Sequence, residues 1–176
     1  MRWMWIDRII ELVPRQRMVA IKHISMAEEH LHDHFPGTAT RRPMPIMPMS
    51  LIVEGMAQTA GVLVGHAEGF REKVVLAKVS RAQITREATP GSTLRYTATI
   101  EQFTSAGAST KGIVELLETP SGTDNGPQTA EVIGHIDLLF SHLDNNIGGV
   151  AYPAENFVFS ESFKTLMQTS GIEADF

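Results

Sequence analysis

Between Met44 and Gly65 the chain carries a single charge, Glu54. Everything around it is apolar or small, so whatever this segment folds into must be largely buried. Its apolar positions Ile52, Val53, Met56, Ala57, Ala60, Leu63, Val64 and Ala67 follow helical spacing, which predicts a helix over Met49 to His66, just after Pro48. A helix apolar on most of its circumference belongs inside a protein, and the rest of the chain has to wrap it. One face differs: Glu54, Gln58, Gly61 and Gly65 stack three or four residues apart, where small side chains admit a strand backbone or a slender ligand. An ionised carboxylate buried without a partner costs several kcal/mol, so Glu54 must be paired, protonated or employed.

The wrapping material is legible on both sides of this helix. Arg17 to Ser25 reads as a strand, Ile6 to Val13 as an extended or partly helical segment, and Met26 to His34 as one or two helical turns. Thr38 to Met44 is a loop. Downstream, Lys73–Ile84, Thr93–Phe103, Ala108–Glu118 and Gln128–Phe140 are strand candidates. Turn signals separate the four: Pro90-Gly91, Ser105-Ala106-Gly107 and the run Pro120 to Pro127. In the second strand, Leu94, Tyr96, Ala98 and Ile100 alternate with Thr93, Arg95, Thr97, Thr99 and Glu101. Strands, a buried helix and a run of antiparallel strands make an α+β pattern, in which one sheet covers the helix only by curling around it.

Residues 1–143 are expected to form a single domain. A composition change at Asp144 to Gly149 leaves residues 144–176 as an extension docked through Tyr152, Phe157, Phe159 and Phe163. Ser160 is a candidate N-cap for a short helix ending near Gly171. A net charge of −5 gives no basic face for nucleic acid. With no cysteine there is no disulfide framework, thiolate metal site or thiol nucleophile, as suits the cytoplasm. Asp7 and Arg8 interrupt the opening residues before any signal-like core, and no run of about 18 uncharged apolar residues suggests a membrane span.

His34 in the string His34-Phe35-Pro36-Gly37 is the candidate partner of Glu54. Histidine changes charge near neutral pH, and a carboxyl in apolar surroundings can hold a proton, so together they form an acid–base pair. A β-hydroxyacyl thioester needs such a pair. A neutral imidazole removes the α-proton, a carboxyl protonates the departing β-hydroxyl, and N–H groups at a helix start, here around Met49, Ser50 and Leu51, face the thioester oxygen. Gln58, one turn beyond Glu54, can hold the carboxyl in place.

Three strings resemble a known family: His34-Phe35-Pro36-Gly37, Pro45-Ile46-Met47-Pro48, and Leu51-Ile52-Val53-Glu54-Gly55-Met56-Ala57-Gln58. They are similar to the signature of the FabZ-type 3-hydroxyacyl-acyl carrier protein dehydratases of fatty acid synthesis. Weaker likeness extends over most of Ile6 to Phe140, including Asp7 to Leu12 and Arg86 to Gly91. The resemblance implies a hot-dog fold, a curled antiparallel sheet around one long helix. It implies dimers that can combine further into hexamers, with His34 and Glu54 as catalytic residues meeting from opposite subunits. It also implies substrate contacts at Gly37, Met49, Ser50, Gln58 and Gly61, an acyl carrier protein partner, and no cofactor beyond the phosphopantetheine that carries the substrate.

Two departures stand out. About six residues more than usual separate His34 from Glu54, a cheap extension in closure entropy if it bulges outward between Thr38 and Met44. The glycine usual after the second proline is Met49, whose side chain crowds the thioester approach. The same fold and site type also serve thioester hydrolysis, with Glu54 activating water, or a non-catalytic subunit that binds acyl chains or carrier protein. Arg41 and Arg42 read as a solvated loop or as a cradle for a phosphate. His30, His32, Asp33 and His34 invite a metal reading, but no convincing downstream ligands complete it.

Overall fold

The strands follow the pattern expected of the sequence, and their pairing decides where everything else sits. A computed structural model describes residues 3–118, 128–143, 156 and 158–173. In chain order the elements are β1 (Arg8–Val13), β2 (Arg17–His23), α1 (Glu29–Asp33), α2 (Met49–Ala67), β3 (Lys73–Ile84), β4 (Thr93–Thr104), β5 (Gly107–Glu118), β6 (Thr129–Leu143) and α3 (Glu161–Thr169). The strands form one antiparallel sheet in the order β1-β2-β4-β5-β6-β3. The sheet curls around α2, the hot-dog arrangement that the motif resemblance implies. The segment from Ile6 to Val13, left open between extended and helical, is strand from Arg8 onward. The expected turn at Pro120 to Pro127, the linker at Asp144 and the aromatics Tyr152 and Phe157 lie outside the described residues.

Pro48 ends the extended approach to α2, and the helix buries Ile52, Met56, Ala60, Leu63 and Val64 against the sheet. The alternation expected of β4 holds, with Leu94, Tyr96 and Ala98 fully buried facing the helix. Among the described residues no helix is long and apolar enough to cross a membrane.

The chain before β1 lies along α2 and is clasped by charge. Asp7 accepts the His23 amide at 2.6 Å, and the buried Lys22 ammonium lies 3.2 Å from Asp7 and 2.5 Å from Glu28. This holds the Trp5 carbonyl oxygen 2.9 Å from where a side chain on Gly55 would begin, with the Tyr96 hydroxyl 2.5 Å from the same point. Only glycine allows α2, β4 and the entering chain to approach so closely there.

Tyr96 is wholly buried, and its hydroxyl has no hydrogen-bond partner among the described residues. Burial, and then the charges of Asp7 and Glu28, push its pKa far above the usual phenol value. In the unfolded chain the same group ionises near pH 10. The contribution of the neutral folded phenol is therefore complete below that pH and is lost as pH rises above it. We expect folding stability to fall above about pH 10, with Tyr96 contributing up to about 1.4 kcal/mol per pH unit. Tyr96→Phe should remove that part of the slope. Denaturant unfolding at several alkaline pH values measures it, and identical slopes for the two proteins would contradict the assignment.

At the sheet edge, β3 is incompletely covered. Leu76, Val79 and Ala82 pair with Phe140, Leu138 and Ile136, buried residues of β6, and so share the sheet's helix-side face. Yet Leu76 and Val79 are each 42% exposed. A long edge strand with apolar side chains bare on its inner face is a surface that proteins ordinarily cover.

The described part of the chain beyond β6 packs on this framework. Asn156 Nδ2 donates to the carbonyls of Phe70 at 2.8 Å and Glu72 at 3.1 Å. Helix α3 buries Phe163, Leu166 and Met167, and Ser170 beyond it accepts the Ile9 amide of β1 at 3.0 Å.

Candidate active site

Helix α1 stops one residue short of the sequence expectation. His34 is its C-cap, already extended at φ −79° and ψ 104°, and Phe35 turns the chain with a positive φ of 56°. That sharp turn swings the half-buried imidazole back toward the approach to α2, where Nδ1 hydrogen-bonds the carbonyl oxygen of Ile46. Ile46 and Met47 are buried, and the Met47 amide donates to Ala88 at 2.8 Å, so this acceptor is fixed. An imidazole donating its Nδ1–H to a carbonyl presents a bare lone pair on Nε2, the form that accepts a proton.

The long loop that follows does not disturb this. Met44 N–H donates to Phe35 at 3.0 Å, Thr38 N–H to Arg41 at 2.9 Å, and the Arg41 Nη2 to Pro36 at 3.0 Å. The Arg41 guanidinium also sits 5.6 Å from the centre of the Phe35 ring. The additional residues are thus closed at a neck and held outward, and Arg41 is committed to its own loop while Arg42 stays exposed.

Around His34, a cavity of about 360 Å³ is lined by Ile46, Met47, Pro48, Met49, Ile52, Ile84 and Arg86 among others. Met49 and Ser50 begin α2, so their N–H groups have no intrahelical acceptor and carry the positive end of the helix dipole. Met49 is 45% exposed and forms part of the cavity wall. Arg86 at the rim is held by Glu118 at 2.6 Å and by Glu131.

Glu54 lies on a different side of α2. Its Oε1 accepts from Gln58 Nε2 at 2.9 Å. Gln58 in turn donates to the Trp3 carbonyl at 2.9 Å and accepts the Trp5 amide at 2.8 Å, so one buried amide ties the carboxyl to the entering chain. The carboxyl is half-buried in the single chain and opens on a second cavity of about 510 Å³. Ala57, Gly61, Val62, Val74, Leu76 and Phe140 contribute to its wall, as do Val158, Phe159 and Phe163.

The structure therefore brings His34 together with Met49 and the start of α2, and Glu54 together with Gln58 and Gly61. It does not bring His34 and Glu54 into one cavity of one chain. Gly37, in the exposed loop, and Ser50, at the exposed first turn, line neither cavity. One expectation is corrected: Gly65 is not open to a ligand, because the Phe159 ring fills the space beside it, with Cε2 2.8 Å from where a Cβ would stand. The three imidazoles near α1 also diverge. The His30 ring meets Trp5 edge-on at 5.1 Å, with burial holding its pKa below the usual value, and His32 Nε2 lies 2.5 Å from the Met26 carbonyl oxygen. Among the described residues no three such groups are placed to share a metal ion.

Sequence reasoning missed the Trp3 and Trp5 backbone groups that clamp Gln58, which no side-chain pattern can announce. It missed the aromatic wall from the tail as well, though Phe159 and Phe163 were visible as candidates for docking.

Comparison with known proteins gives a family match and a shared fold. Residues 2–116 match the FabA-like domain. A 3-hydroxyacyl-acyl-carrier-protein dehydratase FabZ of Acidiphilium cryptum is 43% identical over 93 residues, 51% of this chain and 53% of its own length. The protein of the same name from Caldanaerobacter subterraneus is 34% identical over 119 residues, covering 67% of this chain and 80% of its own. The chain spans about half of the length of the first of these curated relatives. Among solved structures, the dehydratase heterocomplex ApeI:P from Xenorhabdus doucetiae superposes with a TM-score of 0.55 at 15% identity, over 80% of this chain and 83% of that one. An acyl-CoA hydrolase from Staphylococcus aureus gives 0.52 at 14% identity, over 88% and 82%. At such identities the likeness establishes the fold alone, and that fold is shared by proteins named for different reactions.

Proposed function

Because the chain belongs to the FabA-like family, we propose that it removes water from a 3-hydroxyacyl thioester, giving the trans-2-enoyl thioester in fatty acid or related acyl-chain synthesis. The observation that carries this reading is the division of the acid–base pair into two prepared halves: an imidazole with Nε2 free to accept, and a carboxyl held by Gln58 in an apolar groove. In the reaction, His34 Nε2 takes the α-proton and the electron pair becomes the new double bond. The β carbon–oxygen bond breaks as the Glu54 carboxyl gives its proton to the departing hydroxyl, and water leaves. Negative charge growing on the thioester oxygen is met by N–H groups at the start of α2. The elimination involves no net oxidation or reduction, so it calls for no redox cofactor.

The halves are proposed to meet across a homodimer, in which a second copy covers the bare inner side of β3 and brings its own imidazole to this chain's carboxyl. The exposure of Leu76 and Val79 beside the Glu54 groove supports that arrangement. The proposal further sets the protein in the cytoplasm, acting on chains carried by acyl carrier protein or coenzyme A, with dimers free to combine further.

Hydration of a crotonyl thioester, the reverse reaction, tests it directly. Loss of enoyl absorbance without thiol release is the expected result. Thiol release from acyl-coenzyme A would identify a thioesterase instead, and carrier-protein binding with neither activity would identify a binding subunit.

A further inference from the structure

The groove that begins at Glu54 has an end, and that end is built by the chain beyond the sheet. Along α2 its wall runs through Ala57, Gln58 and Gly61, small or flat side chains beside which a slender molecule can lie. One turn further, at Gly65, the same stripe is occupied by the Phe159 ring, which is 5% exposed and takes the position a side chain on that residue would need. Phe159 is itself backed by Phe70 at 4.9 Å and Phe163 at 5.9 Å between ring centres, both edge-on. The segment carrying it is tied down on either side, at Asn156 to Phe70 and Glu72, and at Ser170 to Ile9. A ring so held is a wall, not a side chain that swings away.

Resting on the acyl-thioester reading above, we infer that Phe159 is the stop that sets the longest acyl chain this protein accepts. The step from Glu54 to Gly61 is about 10 Å of helix, and an extended chain advances about 1.2 Å per bond, so about eight carbons fit beyond the reacting one. The four further residues to Gly65 add about 6 Å, or room for about five more carbons if the ring were absent. The glycines at 61 and 65 thus form one continuous slot, of which this chain uses only the first part.

Binding tests the stop independently of catalysis. The probes are non-hydrolysable S-alkyl pantetheine thioethers with chains from about four to about sixteen carbons, titrated against the full chain by calorimetry. For the native protein, affinity should rise about fourfold per methylene and then stop near the length the groove holds. In Phe159→Ala the rise should continue for about five further carbons, so that chains of intermediate length bind at least about tenfold tighter than to the native protein. Phe159→Leu, which keeps apolar bulk, serves where the alanine variant fails to fold and should move the limit in the same direction by less. A native protein whose affinity climbs through the whole series, or variants with an unshifted limit, would overturn the stop, as would absence of binding at every length. Turnover of 3-hydroxyacyl thioesters is measured alongside. A shifted binding limit without turnover would reject dehydration while leaving the stop in place, and turnover with an unshifted limit would do the reverse.

Discussion

Replacing His34 by Ala, or Glu54 by Gln, is expected to slow dehydration at least about 100-fold, the usual worth of a positioned general base or acid. Neither change should unfold the protein. The imidazole is half-buried with a single bond to Ile46, and glutamine keeps the size of the carboxyl and its contact with Gln58. The two lesions also carry a geometric signature. If each site takes its base from one copy and its acid from the other, a mixed dimer of the two dead variants contains one site lacking both groups and one lacking neither. Equal mixing with free exchange should therefore restore about a quarter of native activity. Native rates in both variants would remove the acid–base assignment. Verified mixed dimers without recovery would keep the residues and reject their division between copies.

Gly55→Ala is expected to lower stability by about 3 kcal/mol, at the upper end for overpacking a filled core. A new methyl would stand 2.5 Å from the Tyr96 hydroxyl oxygen, 2.6 Å from Cζ of the same ring and 2.9 Å from the Trp5 carbonyl oxygen. The ring is wholly buried and the carbonyl is backbone, so neither can yield cheaply. For a chain of this length the midpoint of thermal unfolding should drop by about 6–12 °C, read by circular dichroism. Activity should fall too, beyond what stability explains. Displacing Trp5 strains the hydrogen bond its N–H donates to Gln58 Oε1, and Gln58 is what holds the Glu54 carboxyl. An unchanged midpoint would mean that the chain before β1 does not pack on α2 as described.

Much of this arrangement could be read from residues alone, and the exceptions have a common cause. The helix over Met49–Ala67 and the four later strands were legible because periodicity is local and their apolar faces are long. The strings around His34 and Glu54 likewise carried the family likeness that the FabA-like match bears out. What stayed hidden depends on residues far apart in the chain. That β3 pairs with β6 and becomes a bare edge follows from a crossover, not from the composition of Lys73 to Ile84. The Gly65 position looked like an opening because nothing nearby in sequence fills it, and the ring that does comes from Phe159. The orientation of His34 rests on a main-chain carbonyl at Ile46, a group every residue possesses and no pattern distinguishes.

The hydrogen-bonded neck between Phe35 and Met44 has a use that outlasts any particular activity. Because the strand of chain it encloses leaves and returns at nearly the same point, its content is decoupled from the imidazole beside it. It behaves as an interchangeable cassette: residues 38–43 could be shortened, lengthened or replaced by a docking epitope or a fluorescent reporter, and the neighbouring chemistry would keep its geometry as long as the two ends stay laced together.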